Sequence, residues 1–208
     1  AQIDKKDCSK LIEFLRSDFA LRTFADWARA KFDIKLDLKQ LKDLSVPQIK
    51  ELLIKTTAEK YRRREIEYPV EFAMNMVYGP QGANVYAFEA LAEWANRKYG
   101  ANLSAEQIQN IRPAALRKRL LELSEGFNDG RLIEEIDTKL SSLNSRQLAD
   151  WANERFNAVL TEEQLEDPVD LRRRLSDSAR EVLRSELSEL ERYVLVQIYD
   201  STWKDHLY

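Results

Sequence analysis

Apolar residues recur at steps of three and four along almost the whole chain, and in three places they recur with the same residue types in the same order. Residues 24–41 read FADWARAKFDIKLDLKQL, residues 91–108 LAEWANRKYGANLSAEQI and residues 148–165 LADWANERFNAVLTEEQL, and the three align without a gap. Trp27, Trp94 and Trp151 each follow Phe24, Leu91 or Leu148 by three positions and precede Phe32, Tyr99 or Phe156 by five. That spacing lays one apolar stripe along two turns of helix. The stripe is expected to be buried, with its aromatics packed on a neighbouring helix rather than caging a ligand. Trp27, Phe32, Trp94, Tyr99, Trp151 and Phe156 are therefore the expected core of the repeats.

The second part of each unit carries a helix-start signal, because Asp37, Ser104 and Thr161 each stand three residues before a glutamine, Gln40, Gln107 or Gln164. In a capping box the short side chain accepts from a first-turn backbone N–H while the Gln reaches back to the cap's own N–H. A proline then opens the third part: Pro47, Pro113 and Pro168. The first helical position suits proline, whose missing N–H is not needed there. Behind each comes an apolar pair four apart: Ile49 and Leu53, Leu116 and Leu120, Leu171 and Leu175. The expected fold is all-α, built from three repeated modules of helix, short capped helix and long helix. The modules are expected over residues 1–83, 84–143 and 144–208.

Helix breakers are few. Pro69, Gly79, Pro80 and Gly82 are read as one linker, and GFNDG, with Gly126 and Gly130, as a turn. Residues 169–208 contain neither Gly nor Pro, and Leu171, Leu175, Ala179, Leu183, Leu187, Leu190, Val194 and Ile198 follow at steps of three or four. One terminal helix of about 40 residues, roughly 60 Å long, is expected. Such a shaft in a chain of 208 residues is expected to protrude and to lie along something else.

Composition narrows the function classes. The net charge is −3 with Lys and Arg at 33 and Asp and Glu at 36, so no overall field favours nucleic acid. The basic runs KYRRR (residues 60–64), RKR (117–119) and RRR (172–174) are read as solvated helix faces whose Arg stems cover apolar surface. No apolar stretch reaches membrane-span length and the N-terminal residues lack the apolar core of a secretory signal, so a cytosolic chain is expected. It opens on Ala rather than Met, as expected of an excised piece. The single cysteine, Cys8, excludes an intramolecular disulfide and is read as a free thiol. Catalytic chemistry is nearly missing. The one histidine, His206, has no nucleophile partner in the pattern, five scattered glycines supply no phosphate-cradling loop, and pairs such as Glu134–Glu135 and Glu162–Glu163 are read as solvated charges.

The last stretch, residues 190–208, reads LERYVLVQIYDSTWKDHLY. It resembles the helical-scaffold signature of SecA, the ATPase motor of the bacterial preprotein translocase, through Glu191, Arg192, Leu195, Gln197, Asp200, Trp203, Lys204, Asp205, His206 and Leu207. The resemblance extends backwards. Repeat three is similar to the helical wing that precedes that scaffold, and Tyr61 to Glu65 of repeat one is similar to the wing's continuation. A usual SecA has one wing, so residues 1 to about 143 read as two further copies, whose role the resemblance leaves open.

What the resemblance implies is mechanical: a non-catalytic wing and scaffold region that couples an ATP-driven motor to preprotein movement through the Sec channel. ATP and magnesium belong to the parent protein, and no cofactor or metal is expected in this chain. Its expected partners are the other domains of the motor, with channel and preprotein reached through the full-length protein at the inner membrane, and no nucleic acid. Arg192, Ile198, Asp200, Trp203 and His206 are the expected scaffold contacts. The apolar stripe of residues 194–203 is expected to be exposed or masked by self-association through Ile198 and Trp203. Two other readings fit parts of the pattern. A free-standing helical-repeat adaptor explains the repeats but not the terminal signature, and a small helical hydrolase or lyase requires a deep pocket joining His206 to carboxylates.

Overall fold

The structure, a computed structural model, describes residues 9, 14, 18–79 and 85–207. Cys8, Pro80, Gly82 and Tyr208 lie outside the described residues, as do the side chains of Glu162 and Glu163. Every regular element among the described residues is helical. The chain divides into two compact units, Ala1–Arg63 and Arg64–Tyr208.

The first unit contains α1 (Phe19–Phe32), α2 (Leu38–Lys42) and the opening turns of α3 (Val46–Tyr78). Among its described residues Ala28, Ile34 and Leu41 are buried and apolar. Two ion pairs tie its elements together: Lys42 to Asp18 at 2.7 Å and Lys60 of α3 to Asp33 at 2.6 Å.

The second unit takes the rest of α3, then α4 (Val85–Tyr99), α5 (Ala105–Asn110) and α6 (Pro113–Gly126), a wide turn over Phe127–Arg131, and α7 (Leu132–Ser142). It continues with α8 (Ser145–Phe156), α9 (Glu162–Glu166), α10 (Pro168–Leu183) and α11 (Ser185–Leu207). Its core forms two clusters. One joins Val70, Val77, Leu91, Ile108, Leu116 and Leu120 across α3 to α6; the other joins Tyr99, Ile136, Leu148, Phe156, Leu171 and Leu175 across α4, α7, α8 and α10.

Within each repeat the local geometry recurs. The two rings five residues apart meet edge to face every time: Trp27 and Phe32 at 5.3 Å and 83°, Trp94 and Tyr99 at 5.5 Å and 87°, Trp151 and Phe156 at 5.2 Å and 82°. Edge-on approach sets the positive rim of one ring on the negative face of the other. The next residue then turns left-handed in all three: Asp33 (φ 54°), Gly100 (φ 59°) and Asn157 (φ 53°). These are the residue types that tolerate that conformation, and a left-handed residue ends a helix cleanly. The alanine after each Trp is fully buried as Ala28, Ala95 and Ala152. Burial of the rings differs. Tyr99 and Phe156 are buried, whereas Trp27 is 44% and Phe32 36% exposed, against the burial expected of the stripe in the first copy.

Several expectations are corrected. Pro69 is not in a linker but fully buried inside α3. Proline leaves the carbonyl four residues back, that of Glu65, without its donor and crowds the preceding turn; in the same turn the buried Ser124 hydroxyl donates to the neighbouring Ile66 carbonyl at 2.9 Å. The capping box is complete at Ser104 with Gln107 and at Thr161 with Gln164, but Asp37 instead accepts from the Lys39 N–H at 2.9 Å. A further complete box, Asn144 with Gln147, opens α8. The turn expected at GFNDG is present, as a kink between two helices at Gly130 (φ 130°).

The expected helix of about 40 residues is two. Arg184, at φ −104° and ψ 10°, separates α10 from α11. The step of three or four from Leu183 to Leu187 survives the break, so periodicity carries no trace of it.

Candidate functional site

The break at Arg184 is held by a buried cluster. Glu186, in the first turn of α11, accepts from the Trp94 indole N–H at 2.7 Å and from the Lys98 ammonium, while Lys98 also donates to the Ser185 hydroxyl at 3.4 Å. Lys98 is only 4% exposed. Burial pulls its pKa below the usual lysine value, and the Glu186 charge beside it pushes the other way. The Lys98 ammonium also lies 5.6 Å from the Trp94 ring centre. Tyr99, its ring against Trp94 and Phe127, completes the wall, and burial raises its hydroxyl pKa. The root of α11 is thus fastened to α4 of the second repeat by charge, two hydrogen-bond donors and aromatic surface.

A related joint links repeats two and three. The Arg155 guanidinium pairs with Glu135 at 3.1 Å and donates to the Arg97 carbonyl and, at 3.1 Å, to that of Lys98, at the end of α4. A cation on the last carbonyls of a helix meets the negative end of its dipole. Arg155 also lies over the Phe127 and Phe156 rings. Sequence reasoning missed both joints. The signal was a basic residue four after each Trp, Lys31, Lys98 and Arg155, just before the aromatic.

Beyond its root α11 changes character: Leu187 is buried, and every described residue from 192 to 207 is exposed. All five expected scaffold contacts, Arg192, Ile198, Asp200, Trp203 and His206, fall on this exposed length, with Ile198 at 55% and Trp203 at 64%. They do not share one face. At about 100° per residue, Arg192, Leu195, Tyr199, Trp203 and His206 line one side, and Val194 with Ile198 another. The Trp203 and His206 rings stand 6.3 Å apart. Apolar residues on more than one side characterise a helix enclosed by other structure.

The remaining candidates are structural. Arg172 makes a two-point pair with Asp137 of α7, at 2.6 and 2.9 Å, and Arg173 and Arg174 both pair with Asp170. Arg117 pairs with Glu71. A cavity of about 200 Å³ lined by Glu65, Asn128, Arg180, Leu183 and Arg184 adjoins the break, without His206. Arg184 reaches Glu191 there at 3.0 Å and Glu65 at 3.9 Å. Among the described residues no group of His, Cys, Asp and Glu is placed to hold a metal ion, and no helix is long and apolar enough to cross a membrane.

Comparison with known proteins bears on this arrangement. The chain is 26% identical over 230 residues to protein translocase subunit SecA 1 of Rhodopirellula baltica. The match takes in 99% of the chain and 18% of that protein. It therefore extends over the first two repeats as well as the terminal signature, so the relative carries a counterpart of the whole threefold segment. No protein-family model and no solved structure matches the chain.

Proposed function

We propose that this chain is a mechanical segment of a SecA-like preprotein translocase, in which α11 transmits movement between ATP-driven folds and the repeats. In this reading the repeats are wing-like, and the exposed length of α11 is the start of the scaffold helix, flanked on two sides by other parts of the parent protein. The supporting observation is the contrast along α11: a root anchored by buried Lys98 with half-buried Glu186 and Trp94, then sixteen residues exposed with apolar side chains all round. A lever needs both, a fixed joint and a surface to push against. ATP and magnesium belong to the parent protein in this reading. The described residues offer neither a phosphate-cradling glycine loop nor a metal cluster, so no nucleotide step is assigned to them. Channel and preprotein are engaged through the full-length protein, at the cytoplasmic face of the membrane.

Photo-cross-linking in the longer protein tests this. Benzoylphenylalanine placed at 198 and at 203 is expected to cross-link within the same polypeptide, and to different segments because the two positions lie roughly 140° apart around the helix. Cross-links to unrelated proteins alone would favour the adaptor reading and remove the lever.

A further inference from the structure

The three repeats place the same trio at the same offsets from the tryptophan: a ring, a cation four residues on and a second ring at five, which are Trp27, Lys31 and Phe32, then Trp94, Lys98 and Tyr99, then Trp151, Arg155 and Phe156. In the second and third copies the cation is matched by a glutamate from another helix. Glu186 of α11 lies on Lys98 and Trp94, and Glu135 of α7 lies on Arg155. In the first copy the ring pair has the same edge-to-face geometry. Yet there Trp27 and Phe32 are partly exposed, and Lys31 is exposed.

We propose that Trp27, Lys31 and Phe32 form a docking site for a foreign helix that begins with a glutamate, the first-repeat counterpart of the cradle in which Trp94 and Lys98 hold Glu186. The charge of the surroundings fits an acidic occupant. Arg29 and Lys31 occupy the last turn of α1, and the Asp33 carboxyl, held low first by Lys60, also senses Lys35 and Arg29. An indole N–H and an ammonium converging on one carboxylate give two donors to one acceptor group, the arrangement realised at Glu186. A second copy of this chain is not the occupant, because its own Glu186 is already enclosed by its own Trp94 and Lys98. The partner is a helix start of the Ser-Glu-Leu type carried by a separate polypeptide. This inference stands on the repeat geometry and is independent of the lever reading.

The test uses the 208-residue chain labelled with ¹⁵N, whose indole N–H signals are resolved by NMR and assigned by Trp27→Phe. The probe is an acetylated peptide of residues 184–192, RSELSELER. Saturable movement of the Trp27 signal is expected, with the Trp94 signal unmoved. Replacing the glutamate that corresponds to Glu186 by glutamine in the peptide, or Lys31→Ala in the chain, is expected to weaken binding about tenfold, the loss of one charge-assisted hydrogen bond. Lys31→Arg is expected to retain binding. The proposal is overturned if the Trp27 signal stays still at about 1 mM peptide, if the glutamine peptide binds equally well, or if the signal moves on dilution of the chain alone, which would mean that a second copy covers the face.

Discussion

Taking a lysine ammonium out of water costs several kcal/mol unless an opposite charge and good hydrogen bonds go with it. Lys98 has both, from Glu186 and Ser185, and the Trp94 indole satisfies the remaining Glu186 oxygen. Removing one partner strands the other, so Glu186→Ala is expected to lower unfolding stability by about 3 to 5 kcal/mol in urea melts. The double variant Lys98→Met with Glu186→Leu is expected to fall much closer to the parent chain, because no buried charge is left unmatched. The recurrence of a Trp and an aromatic five apart was legible in the sequence, but their meeting edge to face was not, since residues five apart lie about 140° round a helix and the stripe points the rings at a neighbouring helix. The left-handed Asp33, Gly100 and Asn157 were legible too, being the three residue types that suit a helix end. Glu186 was not. Its partners lie 88 and 92 residues away in sequence, and a surface-type residue on a periodic helix gives no sign of where it will be buried.

Among the elements, helix starts followed local chemistry and helix continuity did not. Ser104 and Thr161 form the reciprocal cap that their sequence spelled, and Ser104→Ala is expected to cost about 1 kcal/mol in thermal or urea unfolding. Pro69 and Arg184 ran the other way. A residue that usually stops a helix lies inside one, packed in the core, and a good helix former stands at a break, beside the Glu186 that Lys98 and Trp94 hold, so tertiary context outweighs propensity at both. The pairing of α10 with α7 gives a pH signature. Arg172 holds the Asp137 carboxyl below its usual 3.8. The folded chain therefore binds that proton less tightly than the unfolded one, so the stabilisation is present above about pH 4 and lost as pH falls through the folded value. Asp137→Asn is expected to flatten the acid limb of the stability curve below about pH 4, and salt to shrink the difference because the pair is exposed.

At the scale of the whole molecule, the second compact unit, Arg64–Tyr208, carries the root of α11 at Glu186, and the helix runs on from there with residues 192–207 exposed. The alignment with SecA 1 takes in the repeats and α11 alike. Sixteen exposed residues of single helix are close to the length at which isolated helices are marginal in water. Hydrogen–deuterium exchange along α11 in the dilute monomeric chain tests the fixed root and the open shaft together. Amides of residues 187–191 are expected to be protected at least about a hundredfold, and those of residues 196–207 to exchange within about tenfold of an unstructured chain. Uniform protection from root to tip in a monomer would contradict it, because the outer helix would then have its own place in this fold and no surface left to push against.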